Sequence, residues 1–303
     1  MTQPRRTDPL PLGGPDGVPY SKGLMARALI AAGVDAVRAY ELAHVLEDDL
    51  RGRGGEELRL ERVQELAVSV LGEGGAARVV RRLRRYADFR RLDLPVVVLV
   101  GGATGTGKST IATEVGHRLG ITRITSTDFI RQTMRAFFSA EFMPSVHYSS
   151  FEAGEALPAA EREAGDPLLV GFLDQTRNVL VGVQAALDRA LQEGWSMVLE
   201  GVHLVPGMVR APEGVLLVHI VVAIRDEEVH AQHFVIRDAS SGGTRPLDKY
   251  LDRLADIRQL QDLILAEAEK AGVPVVENGN MEDAIGAVIE LVFDRAEQLQ
   301  EAR

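Results

Sequence analysis

The segment GGATGTGKST, residues 101–110, restricts what this chain can fold into more than any other. An uninterrupted apolar run rich in β-branched residues, 95–100, precedes it, and a helical pattern over 108–119 follows. The fixed positions of the pattern G-x-x-x-x-G-K-[ST] are occupied by Gly102, Gly107, Lys108 and Ser109. The sequence therefore predicts a buried strand, a phosphate-binding loop and a helix, in that order.

Each residue type in this loop has a physical role. Glycines let the backbone wrap around a phosphate with its N–H groups pointing inward, and the N-terminus of the following helix attracts negative charge. Lys108 would neutralise the β- and γ-phosphates of ATP, and the Ser109 hydroxyl would bind Mg²⁺. The alternative is a glycine-rich turn with a chance lysine. The predicted nucleotide-binding residues are Gly102, Thr104, Gly105, Thr106, Gly107, Lys108, Ser109 and Thr110.

Strand and helix patterns alternate after residue 93, which is typical of an α/β layered fold. We expect a P-loop NTPase-type parallel sheet of about five strands with flanking helices. The predicted strands are 95–100, 121–126, 196–200, 216–223 and 273–276. The predicted helices are 108–119, 128–138, 167–193, 226–238, 247–271 and 281–300.

A small helical domain is predicted ahead of the sheet. Apolar residues recur at helical spacing from Ser21, Gly33 ends that helix, and Asp35 is a plausible N-cap for a second helix. Two further helices are expected at 57–71 and 76–89. The predicted organisation is a flexible N-terminus at 1–17, a helical domain at 18–92 and a P-loop kinase domain at 93–303.

Composition excludes several classes of protein. The chain has no cysteine, so it has no disulfide, no thiolate metal site and no cysteine nucleophile, which agrees with a cytoplasmic location. No apolar run approaches the length of a membrane span, and the N-terminus lacks the apolar core of a signal peptide. Residues 93–303 carry a net charge of −13, which disfavours a nucleic-acid partner. The seven arginines of 78–91 favour a solvated or inter-domain face over a nucleic-acid site.

Asp128 is the candidate for handling the acceptor of a phosphoryl group. It follows the second predicted strand, at the edge of the sheet where ligands bind in such folds. Arg131 and Arg135 lie four residues apart and would share a helix face, which suits an acidic, phosphorylated acceptor. The alternative is that Asp128 caps its helix and both arginines are solvated.

Glu200 ends the third predicted strand and is the second predicted Mg²⁺ ligand, with Ser109. His203 lies three residues later and is more often a structural hydrogen-bonding residue than a functional one. Glu200, Lys108, Asp128 and Arg237 form the predicted catalytic set.

A glycine-containing segment after 226–238 is predicted to be a mobile lid, with Arg237 and Arg245 as candidates to contact the transferring phosphoryl group. His230 and His233 in the preceding helix match no zinc-binding spacing. The polar and aromatic segment 144–153 is either an acceptor-binding insertion or an ordinary surface loop.

Four segments together resemble the 2-phosphoglycerate kinase family: GGATGTGKST, ITSTDFIRQTMR, PSVHYSSFEAG and VLEGVHLVPG. The first is common to many families, whereas the other three are much more specific. Residues 16–50 resemble an ATP-cone domain, which binds a regulatory nucleotide in other proteins. The resemblance implies ATP-dependent phosphorylation of the 3-hydroxyl of 2-phosphoglycerate, giving 2,3-diphosphoglycerate.

Alternative functions stay open at this point. The expected acceptor is a small acidic phosphorylated molecule, and a different polyol, a sugar phosphate or a nucleotide sugar would suit the same chemistry. A non-catalytic nucleotide sensor is the alternative from another class, although a sensor needs no acceptor site. The oligomeric state is unknown from the sequence.

Overall fold

A computed structural model describes residues 10–13, 18–54, 57–163, 165–241 and 247–301. These residues form two compact units. The helical unit contains the chain up to Asp93, Arg118–Gly120 and the chain from Ile289 onward, and the sheet unit contains Leu94–His117 and Ile121–Val288.

The helical unit begins with α1 (Lys22–Ala31), α2 (Ala36–Gly52) and α3 (Leu60–Arg90). Asp35 caps α2 as the sequence predicts, since its carboxylate accepts hydrogen bonds from the N–H groups of Val37 and Arg38 at 3.0 and 3.3 Å. Within α3, Gly72 has a φ of 74° and a ψ of 167°, so the helix is interrupted there. The two helices predicted for this stretch therefore meet at Gly72.

The described part of the predicted flexible N-terminus is packed. Leu10 and Leu12 are buried, and the Leu58 N–H donates to the Leu12 carbonyl at 2.8 Å. Burial of two leucine side chains contributes about 2 kcal/mol each, enough to order a short segment. The rest of this prediction falls on 1–9 and 14–17, which lie outside the described residues.

The sheet unit alternates strands and helices. Its strands are β1 (Val96–Gly101), β2 (Ile124–Ser126), β3 (Met197–Glu200), β4 (Leu216–Ala223) and β5 (Val275–Glu277). The helices after α3 are α4 (Lys108–Leu119), α5 (Thr127–Phe137), α6 (Ala159–Glu163), α7 (Pro167–Gln192), α8 (Glu227–Ser241), α9 (Leu247–Leu251), α10 (Leu254–Ala271) and α11 (Met281–Glu301). Two 3₁₀ helices lie at Pro144–His147 and Ala153–Ala156.

The strands form one parallel five-stranded sheet in the order β2-β3-β1-β4-β5. The predicted fold class is thereby confirmed. All six residues of β1 are buried, as expected of a central strand covered by helices on both faces. The strand order reverses on the two sides of β1, and such a switch point opens a crevice at the carboxyl ends of the strands.

Strands β2 and β5 begin later than the sequence predicts, for one shared reason. Gly120 and Gly272 end the preceding helices with φ values of 72° and 63°. The next residue in each case donates its N–H to the carbonyl five residues earlier, as in Ile121 to Gly116 at 2.8 Å. The apolar residue after each glycine therefore belongs to the helix end and not to the strand.

Residues of α3 and α11 pack together within the helical unit. Arg85 pairs with Glu290, Asp294 and Glu297. Phe89 and Phe293 have ring centroids 5.9 Å apart. The predicted domain 93–303 and the sheet unit differ at the C-terminal end, because the chain from Ile289 lies in the helical unit.

Among the described residues, no helix combines the length and hydropathy needed to cross a membrane.

Candidate active site

The carboxyl ends of β1, β2 and β3 place three functional segments side by side. Glu200 at the end of β3 is in register with Val100 of β1 on one side and with Ser126 of β2 on the other. The loop 102–107 follows β1, and Asp128 follows Ser126. The sheet therefore brings the predicted phosphate-binding loop, Glu200 and Asp128 to one edge, as the sequence predicts.

The loop after β1 has the backbone conformation that its glycines permit. Gly102, Gly105 and Gly107 have φ values of 139°, 88° and 83°. A Cβ at Gly107 would lie 2.4 Å from Asn278 Nδ2. The loop is thus closely packed from outside, and no larger residue fits there without movement.

Three consecutive carbonyls of this loop accept hydrogen bonds from side chains outside it. His230 Nε2 lies 2.8 Å from Thr104 O, His233 Nδ1 lies 3.2 Å from Gly105 O, and Asn278 Nδ2 donates to Thr106 O at 2.9 Å. When the carbonyls of a loop point outward, its N–H groups can point inward, where a phosphate would bind.

These three contacts are not apparent from the sequence. There, His230 and His233 are conceivable as metal ligands, and Asn278 belongs to no motif. Among the described residues no group of three or more His, Cys, Asp and Glu side chains could hold a metal ion. Burial lowers the pKa of His230, so this histidine is neutral at neutral pH and donates from Nε2.

Within the loop, Thr106 is fully buried, and its hydroxyl donates to Ala103 O at 3.0 Å. Lys108 Nζ donates to the same carbonyl at 3.2 Å. Thr104 is partly exposed and Thr110 is exposed in the first turn of α4. This contact of Lys108 is neutral, and a phosphate can replace it at low cost.

Ser109 and Glu200 make the contact that the predicted Mg²⁺ site requires. Ser109 Oγ donates to Glu200 Oε1 at 3.0 Å, and Glu200 is only 8% exposed. Glu200 Oε2 is buried without a hydrogen-bond partner among the described residues. A buried carboxylate oxygen with no partner is costly, and oxygen atoms are the ligands that Mg²⁺ prefers, so these residues fit that ion.

Asp128 lies in the first turn of α5, whose N-cap is Ser126 and not Asp128. The Asp128 side chain is 68% exposed and pairs with Arg131 Nε at 3.4 Å. The nearby protein displaces part of the water around this carboxyl, which by itself would raise its pKa. The positive charges of Arg131 and Lys108 outweigh that effect and hold the pKa below its usual range. Asp128 is therefore an ionised carboxylate that solvent can reach, as expected in an open cleft.

Arg131 and Arg135, four residues apart in α5, differ in burial and in their partners. Arg131 is buried, and its Nη1 donates to Val146 O and Tyr148 O at 3.1 and 2.9 Å. Arg135 is exposed and contacts Gln132 at 3.4 Å. The Nη1 group of Arg131 is thus occupied by the segment 144–148. Acceptor binding by the two arginines together stays a prediction.

The segment 144–148 is held by buried groups that sequence reasoning also missed. Gln175 of α7 is fully buried, and its Nε2 donates to Ser145 O and Tyr148 O. His203 is fully buried as well, 2.9 Å from Gln175 Oε1. A polar residue within a long amphipathic helix carries no signal in the sequence that would distinguish it from a solvated one.

Much of the predicted lid lies outside the described residues. Arg237 lies within α8, and the structure describes its backbone only. Arg245 lies in 242–246, outside the described residues.

Several curated proteins are similar to the chain along nearly its whole length. The 2-phosphoglycerate kinase of Thermococcus kodakarensis is 35% identical over 282 residues, covering 93% of this chain and 95% of that protein. Those of Methanothermobacter thermautotrophicus and Methanopyrus kandleri are 37% and 33% identical, covering 89% and 92% of this chain and 89% and 85% of those proteins.

Solved structures are less similar. A gluconokinase from Sinorhizobium meliloti 1021 superposes with a TM-score of 0.42 at 17% identity, covering 69% of this chain and 98% of that one. A shikimate kinase from Acinetobacter baumannii gives 0.39 at 15% identity, covering 68% and 97%. No protein-family model matches the chain. On the identity and coverage of its curated relatives, the chain belongs to the 2-phosphoglycerate kinase family.

Proposed function

We propose that this protein transfers the γ-phosphoryl group of ATP to the 3-hydroxyl of 2-phosphoglycerate, giving 2,3-diphosphoglycerate and ADP. The names of its curated relatives support the substrate. The observation that carries the proposal is the register of Val100, Glu200 and Ser126, because it puts donor-binding and acceptor-binding segments on adjacent strands.

On the donor side, the backbone N–H groups of 102–107 and the N-terminus of α4 would bind the phosphates. Lys108 would leave Ala103 O and neutralise the charge on the β- and γ-phosphate oxygens. Ser109 and Glu200 would hold Mg²⁺, which when bound neutralises charge on the same oxygens. The hydrogen bonds from His230, His233 and Asn278 hold the loop in its binding conformation before ATP arrives. Less conformational entropy is therefore lost when ATP binds.

On the acceptor side, Asp128 would orient the attacking hydroxyl by accepting its hydrogen bond. An ionised carboxylate with a lowered pKa is a weak base, so Asp128 receives the proton only as the new P–O bond forms. The carboxylate and phosphate of the acceptor require cations. Since Arg131 is occupied by the segment 144–148, we assign this role to Arg135, Arg237 and Arg245.

The test is ADP release with Mg-ATP and a panel of acceptors: 2-phosphoglycerate, 3-phosphoglycerate, glycerate, and several polyol and sugar phosphates. Lys108→Met removes the charge and keeps the length of the side chain, and Lys270→Met on the exposed surface of α10 is its matched control. Stimulation by 2-phosphoglycerate that disappears in Lys108→Met supports the proposal. If only another acceptor stimulates ADP release, that acceptor is the substrate instead. If no acceptor stimulates ADP release, the result favours a non-catalytic nucleotide sensor.

We also propose that the helical unit binds a regulatory nucleotide and that the protein acts in the cytoplasm, where ATP is the common phosphoryl donor. The resemblance of residues 16–50 to an ATP-cone domain supports the first part. Equilibrium binding of ATP to the full-length Lys108→Met variant tests it. One residual ATP per chain is expected, and complete loss of ATP binding contradicts it.

A further inference from the structure

Three fully buried polar side chains connect the segments that surround Asp128. They are Thr127 at the start of α5, Gln175 in the middle of α7 and His203 three residues after β3. His203 Nδ1 lies 2.8 Å from Thr127 Oγ1, and His203 Nε2 lies 2.9 Å from Gln175 Oε1. The phosphate-binding loop makes none of these bonds.

The direction of each hydrogen bond in this chain of contacts is determined. Gln175 Nε2 lies 2.5 Å from Ser145 O and 3.1 Å from Tyr148 O. Of the two ends of a glutamine amide, only the NH₂ can donate to these carbonyls. Gln175 Oε1 is then the acceptor that faces His203, so His203 carries its proton on Nε2. His203 Nδ1 is left as an acceptor, and the Thr127 hydroxyl donates to it.

Charge and burial agree with this tautomer. Burial lowers the pKa of His203 to about 3, against the opposing effect of Asp128, so the ring is neutral over the physiological range. A second proton would sit on Nδ1 and displace the donation from Thr127. Phe172 stacks near the ring, with centroids 6.3 Å apart, and helps to exclude water.

The contacts form a closed circuit that includes both Asp128 and the segment 144–148. Tyr148 O accepts from both Gln175 and Arg131, and Arg131 pairs with Asp128, which is the neighbour of Thr127. Each member thereby fixes the distance between Asp128 and the segment 144–148. Such a fully satisfied buried network is rigid, and losing one member leaves a buried polar group without a partner.

We propose that His203 is a positioning residue for the acceptor: it holds the segment 144–148 in fixed register with Asp128 and thereby sets the affinity for the acceptor, not for ATP. This inference rests on the proposed function, since it needs an acceptor that binds between these two elements. It assigns a purpose to three buried groups that the transfer mechanism itself does not use.

The test leaves His203 unchanged, because replacing this fully buried side chain could prevent folding. Thr127→Val keeps the shape of the side chain and removes the hydroxyl, whereas Thr127→Ser keeps the hydroxyl. Thr133→Val on the exposed side of α5 removes a hydroxyl that donates to Phe129 O within the same helix, and it is the control. We expect Thr127→Val to raise the KM for 2-phosphoglycerate roughly tenfold, the scale of one lost buried hydrogen bond, with the KM for Mg-ATP within about twofold of wild type.

Thr127→Ser is expected to recover most of the acceptor affinity. Equal KM values for the acceptor in Thr127→Val and Thr133→Val would overturn the inference, as would a parallel rise in the KM for Mg-ATP.

Two measurements without substrate separate this inference from the proposed function. ¹⁵N NMR of the His203 ring should show the Nε2–H tautomer, and amide hydrogen exchange at 144–150 should be faster in Thr127→Val than in Thr133→Val. An Nδ1–H tautomer or unchanged exchange overturns the inference whatever the substrate. If the wild-type protein phosphorylates no acceptor while both results hold, the proposed function fails and the positioning of the segment stands.

Discussion

At the scale of single residues, charge and hydrogen-bond capacity decide how much of the candidate site the sequence reveals. Lys108 and Ser109 are identified by a fixed spacing, and Glu200 by its place at a strand end. Arg131 is different, because its role depends on whether the carbonyls of a distant loop meet it. That information lies in the tertiary fold, so the spacing of Arg131 and Arg135 does not reveal that one is buried and the other exposed.

Glu200→Gln should separate metal binding from folding. The amide keeps the size of the side chain and can still accept from Ser109 Oγ, but it loses the charge that would hold Mg²⁺. We expect the Mg²⁺ concentration for half-maximal rate to rise at least about tenfold, on the scale of losing a ligand contact. In EDTA the variant should be as stable as the wild type or more so, because a buried carboxylate is costly.

The readouts for Glu200→Gln are a Mg²⁺ titration of activity and thermal melting with and without Mg-ATP. Glu213→Gln, on an exposed loop, is the control. A Mg²⁺ dependence equal to that of the control would remove Glu200 from the metal site.

His230 offers a second test at this scale. Its Nε2 donates to Thr104 O, and a glutamine amide can replace that donor, whereas leucine cannot. We expect His230→Leu to weaken Mg-ATP binding roughly fivefold, the scale of one neutral hydrogen bond, and His230→Gln to keep most of it. Isothermal titration with an unreactive ATP analogue measures this. Equal affinities for the two variants would show that the tether does not support the loop.

At the scale of elements, strand positions could be predicted because β1 and β4 are apolar runs with few alternatives. The starting points of β2 and β5 could not, because a residue such as Val273 suits both a strand and the apolar contact of a glycine-ended helix. The glycines themselves carry the missing signal: a helical pattern followed by glycine and one apolar residue indicates that the strand starts later.

Gly201→Ala tests how closely β3 and α5 must approach. A Cβ at Gly201, where φ is 151°, would lie 1.8 Å from Thr127 Oγ1. Thr127 is buried and cannot move aside, so we expect a loss of at least about 3 kcal/mol in the free energy of unfolding.

Gly272→Ala is the matched control for this change. Gly272 has a φ of 63°, and a Cβ there would meet nothing within 4 Å. Its expected cost is the backbone strain alone, about 1 kcal/mol. Thermal melting followed by circular dichroism compares the two, and equal losses would mean that packing at Gly201 is not the cause.

At the scale of the whole molecule, the sequence separated a helical part from an alternating part but could not assign the chain's end. In the sequence, the acidic residues of α11 that pair with Arg85 cannot be told from ordinary solvent-facing charges of a helix. Only the fold makes them partners of the arginine-rich stretch, which therefore bonds within its own unit.

The acid response of the sheet unit follows from its buried neutral histidines. Burial lowers the pKa of His219 to about 4 and that of His203 to about 3, whereas an unfolded histidine titrates near 6.5. Below pH 6.5 the unfolded chain therefore binds more protons. The stability contributed by each histidine is fully present above pH 6.5 and is lost as the pH falls toward the folded pKa, by up to about 1.4 kcal/mol per pH unit.

Trp195 is the single tryptophan and lies in the sheet unit, with the Arg123 guanidinium 3.7 Å from its ring, so its fluorescence reports unfolding of that unit. Urea denaturation at pH 7.5, 6.0 and 5.0 should show the unfolding free energy falling with pH. His219→Gln keeps a donor for Leu204 O, at 3.2 Å from His219 Nε2 in the wild type, and removes the titration. The slope between pH 6.0 and 5.0 should therefore be smaller by roughly 1.4 kcal/mol per pH unit, and a slope equal to that of the wild type would mean that His219 already carries a proton in the folded protein.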